Sequence, residues 1–179
     1  TTGETPTLDE AEQAELIRRT VAMAGGLPVT AGVGTNDTRG TVAKVQAAQS
    51  LGVSAGLLVF PYYNKPNPAG LRAHVQAALK PGLPLVLYHV PGRTGQRLSA
   101  ALLAELAAYE GVIGVKEATG DLLFGGELLT RTATPVLSGD DFTFLPLLSM
   151  GAVGVISVVS NVAPRQTVAI YDAYRAGRV

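Results

Sequence analysis

V-I-G-V-K-E-A-T-G-D, Val112 to Asp121, is the stretch on which the fold turns. Four apolar or glycine positions run without alternation into Lys116 and then Glu117. A strand with one wet face alternates apolar with polar residues. An unbroken apolar run suits a strand covered on both faces, as in parallel sheets. An ammonium group at the end of such a run is costly to bury unless it is paired or neutralised. Lys116 therefore snorkels to the surface, pairs with Glu117 or Asp121, or sits there because its amine is used.

The same kind of run recurs on both sides of this one. PVTAGVG starts at Pro28, AGLLVFPYY at Ala55, LPLVLYHV at Leu83, TPVLSG at Thr134 and GAVGVISVVS at Gly151. Helical segments with their own punctuation lie between them. Thr7-Leu8-Asp9-Glu10 reads as a capping box ahead of an amphipathic stretch through Ala24. Asn67 before Pro68 reads as N-cap and first helical residue, with Leu71, Val75 and Leu79 along one face. Ser99 can cap SAALLAELAAYE, and Pro164 opens a helix that Gly177 ends. Units of about 20 to 30 residues fit repeated βα units within one domain.

Two parallel architectures compete. Gly32-Val33-Gly34 offers only the first half of a dinucleotide-binding GxGxxG, with Asp37 where the third glycine belongs. The polar residues favour a barrel. Asn36, Tyr62, Tyr63, Tyr88, Lys116, Ser138, Asp140 and Ser157 all fall at or near C-terminal strand ends, the face that carries active sites in (β/α)8 barrels. The expectation is an α/β chain forming a single (β/α)8 TIM-barrel domain over residues 1–179, incomplete, with about six of the eight strands. The length of 179 residues is short for a barrel, which takes roughly 200 to 250.

Composition narrows the function. The formal net charge is zero, which gives no support for nucleic acid or an acidic membrane as partner. Cysteine is absent, so thiolate metal sites and disulfides are excluded. The two histidines, His74 and His89, are not spaced as a ligand pair. No apolar run approaches the roughly 20 residues of a membrane-spanning helix, and cytoplasm is the default location.

Each candidate side chain has an ordinary alternative. A lysine with its usual pKa near 10.4 is only about 0.04% free amine at pH 7, and desolvation raises that fraction. Lys116 then becomes a nucleophile for a carbonyl; paired with Glu117 or Asp121, it is structural. Tyr88 at a strand end is a core aromatic, or a proton relay beside a buried lysine. Arg93, in a Pro-Gly turn, is an exposed loop charge or a bidentate clamp for a carboxylate. Tyr62 and Tyr63 cannot both point inward from one strand end, so one faces the site and the other an interface. Thr1-Thr2-Gly3 is a turn or a carboxylate cradle. His89 reads as a strand-end residue rather than a base, and Asp140-Asp141 as a helix N-cap rather than a metal site.

Taken together, TTGE at Thr1, PYYNKP at Pro61, YHVPGRTG at Tyr88, GVKEATGD at Gly114, LSGDD at Leu137 and GVISV at Gly154 resemble the dihydrodipicolinate synthase family of pyruvate-dependent, class I aldolase-like barrels. The resemblance implies a cytoplasmic enzyme of diaminopimelate and lysine biosynthesis that condenses pyruvate with aspartate semialdehyde. It implies Lys116 as the Schiff-base lysine, and Tyr88 with Thr2 as proton relay. Tyr63 completes that relay from a neighbouring subunit of a homotetramer built as a dimer of dimers. Thr1 is implied as a pyruvate-carboxylate contact, and Arg93 as the group that orients the relay and receives the second substrate's carboxylate. Gly139 and Ile156 line the pyruvate pocket. Neither metal nor organic cofactor is implied, because the imine is itself the electron sink. The family's first two strands belong before Thr1 and a helical extension after Val179. His89 replaces a common asparagine. Glu10, Gln13 and Gly40 stand where feedback-sensitive relatives bind lysine. Sister enzymes, the N-acetylneuraminate lyases and keto-deoxy-sugar aldolases, share the lysine and tyrosine; Arg93 in GRTG favours a small acidic aldehyde. An inactive folding module with intact motifs is the remaining alternative.

Overall fold

Six parallel strands lie side by side in chain order in the computed structural model, which describes residues 2–178. They are β1 (Thr30–Gly32), β2 (Ala55–Val59), β3 (Leu85–His89), β4 (Val112–Glu117), β5 (Val136–Ser138) and β6 (Gly154–Val155). Each strand pairs with its sequence neighbours and every pairing is parallel. A doubly wound sheet reverses its strand order at a switch point. No reversal occurs here, so the sheet is a parallel half-barrel, as the strand-end polar residues implied. β1 and β6 stand at the two ends of the order.

The helices are α1 (Glu10–Met23), α2 (Thr38–Ser50), α3 (Pro68–Leu79), α4 (Pro91–Thr94), α5 (Ala100–Ala107), α6 (Leu122–Arg131), α7 (Phe144–Ser149) and α8 (Pro164–Arg175). The expected caps on α3 and α5 are present: Asn67 accepts the Gly70 N–H and Ser99 the Leu102 N–H. α8 opens at Pro164 as expected, with Gly177 at φ 70° just beyond its end. The capping box of α1 lies two residues further on than expected. It is formed by Asp9 and Glu12, each side chain accepting the other's backbone N–H at 2.9 Å. Asp37 accepts the N–H groups of Arg39 and Gly40 and starts α2, and Asp121 does the same for α6 through Leu123 and Phe124.

Strand alternation sorts the side chains onto two faces. Leu58, Leu85, Leu87, Val115 and Val136 face the helices and pack with Val45, Val75, Leu103, Leu106 and Leu128 in one cluster. The opposite, concave face carries Val59, Tyr88, Lys116 and Leu137, which the register sets in one row across four strands. This row positions the site. Among the described residues, no helix is long and apolar enough to cross a membrane.

Candidate active site

Lys116 and Tyr88 are direct cross-strand partners on β4 and β3. Both are buried, at 7% and 4% exposure, and the Lys116 Nζ lies 4.2 Å from the centroid of the Tyr88 ring. A desolvated ammonium over an aromatic face is stabilised by about 2 kcal/mol, far less than a lost hydration shell costs. The structural alternative for the lysine is not observed. Glu117 points to the helix-covered face, where it is fully buried and accepts the Thr119 N–H at 2.6 Å. Asp121 caps α6 and pairs with Arg97 at 2.5 Å. No salt bridge to Lys116 forms among the described residues.

Tyr88 and Arg93 line one cavity of about 470 Å³ above the concave face, with Val59, Tyr62, Thr35 and Lys44. Arg93 sits in the single turn of α4 rather than in an open Pro-Gly turn. Pro91 opens this turn, the Arg93 N–H donates to the Val90 carbonyl at 2.9 Å, and Gly95 closes it at φ 70°. The two tyrosines differ in placement. Tyr62 reaches the cavity, whereas Tyr63 is 88% exposed, stands at φ 71°, and is not among the cavity residues. A non-glycine residue at positive φ costs on the order of 1 kcal/mol or more and commonly marks a functional position.

The aspartates after β5 separate in role. Asp141 accepts the Ser157 hydroxyl and the N–H groups of Val158 and Val159. Burial pushes its carboxyl up, but these three donors outweigh that and hold it below the usual aspartate range. The expected capping of the following turn does not occur: the Asp140 side chain makes no cap hydrogen bond there. Burial pushes the Asp140 carboxyl up, partly offset by the nearby charges of Lys116 and Arg93. Asp140 thus lies within electrostatic range of both Lys116 and Arg93. Its only signal in the sequence is its place directly after a strand end.

Gly139 and Ile156 extend the ladders of β5 and β6. The Gly139 N–H donates to the Glu117 carbonyl at 2.6 Å and the Ile156 N–H to the Ser138 carbonyl at 2.9 Å. Both N–H groups are thus engaged in the sheet, and neither residue is among those lining the cavity that Tyr88 and Arg93 share. Thr1 lies outside the described residues. Thr2 is exposed and makes no side-chain hydrogen bond among them. Glu10, Gln13 and Gly40 share a cavity of about 280 Å³ between α1 and α2 with Lys44, whose Nζ donates to Gln13 Oε1 at 2.9 Å. His89 is a buried strand-end residue, as expected. No group of three His, Cys, Asp or Glu side chains able to hold a metal ion occurs among the described residues.

Residues 1–179 match the dihydrodipicolinate synthetase family. The 4-hydroxy-tetrahydrodipicolinate synthase of Methanoculleus marisnigri is 43% identical over 180 residues, covering 98% of this chain and 62% of that protein. The crystal structure of dihydrodipicolinate synthase from Thermotoga maritima superposes with a TM-score of 0.95 at 40% identity, covering 99% of this chain and 63% of that one. A chloride-inhibited dihydrodipicolinate synthase from Acinetobacter baumannii, solved in complex with pyruvate, gives a TM-score of 0.93 at 40% identity, covering 98% of this chain and 62% of its own. The chain therefore spans 62 to 63% of the length of these relatives.

Proposed function

The chain belongs to the dihydrodipicolinate synthetase family, and on that premise we propose that it is the pyruvate-activating core of a Schiff-base lyase condensing pyruvate with L-aspartate 4-semialdehyde to 4-hydroxy-tetrahydrodipicolinate. The observation that carries this reading is the buried Lys116 amine, 4.2 Å from the Tyr88 ring centroid with no carboxylate paired to it among the described residues. An amine held out of water and free of an ion pair is the group that a ketone needs.

Once deprotonated, Lys116 Nζ attacks C2 of pyruvate. The carbonyl oxygen collects two protons and leaves as water, which gives the imine. The Tyr88 hydroxyl, on the cross-strand partner of the lysine, is assigned these proton transfers. Loss of a C3 proton turns the imine into an enamine, with the nitrogen as electron sink. The enamine carbon then attacks the semialdehyde. The amino group of that substrate closes the ring on C2 and releases the lysine. Arg93 receives the semialdehyde carboxylate, for which a planar guanidinium is suited. The Thr1–Thr2 pair serves the pyruvate carboxylate and the relay. Tyr63, exposed at positive φ on the rim, reaches the site of a second subunit.

Product formation from pyruvate and aspartate semialdehyde tests the reading. Turnover abolished in Lys116→Ala supports it. Cleavage of N-acetylneuraminate in place of the condensation would assign the chain to a sister activity.

A further inference from the structure

β3 and β4 each end in two polar residues, and the register sets the pairs side by side: Tyr88 against Lys116, then His89 against Glu117. Alternation sends the first pair to the concave face and the second to the face beneath the helices. His89 and Glu117 are both fully buried. Phe60 meets the imidazole edge-on at 6.2 Å and Phe124 lies 5.4 Å from it. In this apolar chamber both His89 ring nitrogens and Glu117 Oε2 have no hydrogen-bond partner among the described residues. An unsatisfied buried polar atom costs about 1 to 3 kcal/mol, and these three belong to cross-strand neighbours. They make no direct hydrogen bond to each other, and one internal water between them can satisfy them together.

We propose that one internal water joins His89 and Glu117 as a neutral pair, with the proton on Glu117, that positions Lys116 and Tyr88 from behind the sheet. The inference rests on the reading of Lys116 as the imine-forming residue. The charged groups around the pair favour the neutral form. Glu117 feels two further acids, Asp140 and Asp121, and its neighbour Lys116 points to the other face. Arg97 is the cation that faces His89, stacked over Phe124 at 5.2 Å and paired with Asp121. α6 and α7 contribute the apolar Phe124 and Leu147 around Gly125, beside the Glu117 carboxyl. Burial pushes the Glu117 carboxyl up, against the opposing Thr119 contact, and holds His89 down to about 4.

The pair's backbone and side chains tie three strand ends together. The His89 carbonyl accepts the Ala118 N–H at 2.9 Å, the Glu117 carbonyl accepts the Gly139 N–H, and Glu117 Oε1 holds the Thr119 N–H. Slippage of β3 against β4 would carry Lys116 Nζ away from Tyr88. Glu117 is therefore a positioning residue, acting through the strand that bears the lysine.

Two measurements test this. In protein carrying 13C in the glutamate carboxyl groups, Glu117→Gln identifies the Glu117 resonance. It is expected to titrate above the exposed glutamates, which do so near 4.3. Titration together with the exposed glutamates would overturn the neutral pair. In the second, borohydride trapping of pyruvate on Lys116 is timed in folded variants. Glu117→Gln, which mimics the neutral acid, and His89→Asn, which keeps a donor and an acceptor, should trap near the parent rate. Glu117→Leu should trap about ten- to a hundredfold more slowly. If Glu117→Gln is as slow as Glu117→Leu, a charge is needed and the proposal fails. If the parent forms no adduct at all, the Lys116 reading fails instead, and the carboxyl titration still decides the state of the pair.

Discussion

Replacing Gly139 by alanine should damage the strand that carries the lysine, by a route visible in the backbone. A Cβ at residue 139 would lie 2.5 Å from the Ala118 Cβ, 2.9 Å from the Glu117 carbonyl oxygen and 3.1 Å from the Ala118 Cα. These are main-chain or main-chain-bound atoms of the segment leaving β4, so no side-chain rotation relieves the clash. Normal carbon contacts are about 3.5 to 4.0 Å, and the strand ends must therefore part by roughly 1 Å. That shift stretches the 2.6 Å hydrogen bond from Gly139 to Glu117 past the normal range. Overpacking contributes about 1 to 3 kcal/mol and the weakened hydrogen bond about 1, for a loss of about 2 to 4 kcal/mol. Gly92→Ala is the control. Its Cβ would meet nothing within 4 Å, and its backbone is not at positive φ. It should be neutral or stabilising by a few tenths of a kcal/mol, because alanine narrows the unfolded ensemble. Urea unfolding followed by circular dichroism measures both. Equal midpoints for the two variants would refute the argument that backbone proximity at Gly139 holds β5 against β4.

Three further outcomes are expected. Unfolded His89 takes up a proton below pH 6.5 whereas folded His89 does so only near 4, so the unfolded state binds more protons in that window. Stability attributable to His89 therefore falls by about 3 kcal/mol as pH drops from 6.5 to 4. Glu117, raised in the folded state, contributes in the opposite sense, its share being lost as pH rises above 4.5. Comparing acid unfolding of the parent with His89→Asn isolates the histidine; identical pH profiles would contradict its neutral burial. Arg93→Ala removes a charge-assisted contact of about 1.5 to 3 kcal/mol from the second substrate. Turnover should fall by one to two powers of ten while pyruvate trapping survives, and equal loss of both would make Arg93 part of the first half-reaction. Mixing inactive Tyr63→Phe with inactive Lys116→Ala subunits should restore activity, since some mixed dimers then hold one intact site; no recovery after confirmed subunit exchange would place Tyr63 in its own site.

The parts of the fold legible in the sequence are those written in local chemistry. Unbroken apolar runs announced six parallel strands, and Asn67, Ser99 and Pro164 announced three helices. Two of the helices that escaped notice, α2 and α6, begin at Asp37 and Asp121, which cap their own backbones. Read alone, the first looked like a spoiled glycine motif and the second like a counter-ion for Lys116. Period-two alternation alone separates Glu117 from Lys116, but which face meets the helices depends on distant partners such as Phe60 and Phe124. The cavity joining Tyr88 to Arg93 and the free carboxylate of Asp140 arise where separate strand ends meet. Local spacing carries no record of that meeting.

The measurement that bears most directly on the central claim is covalent trapping. The chain has four lysines, Lys44, Lys65, Lys80 and Lys116. Incubation with pyruvate followed by borohydride reduction should add, to one lysine, the mass of pyruvate less water plus two hydrogens. Peptide mapping should find that addition on Lys116 and nowhere else, and Lys116→Ala should abolish it. An adduct on Lys44, Lys65 or Lys80, or an unmodified Lys116 in folded protein, would contradict the account.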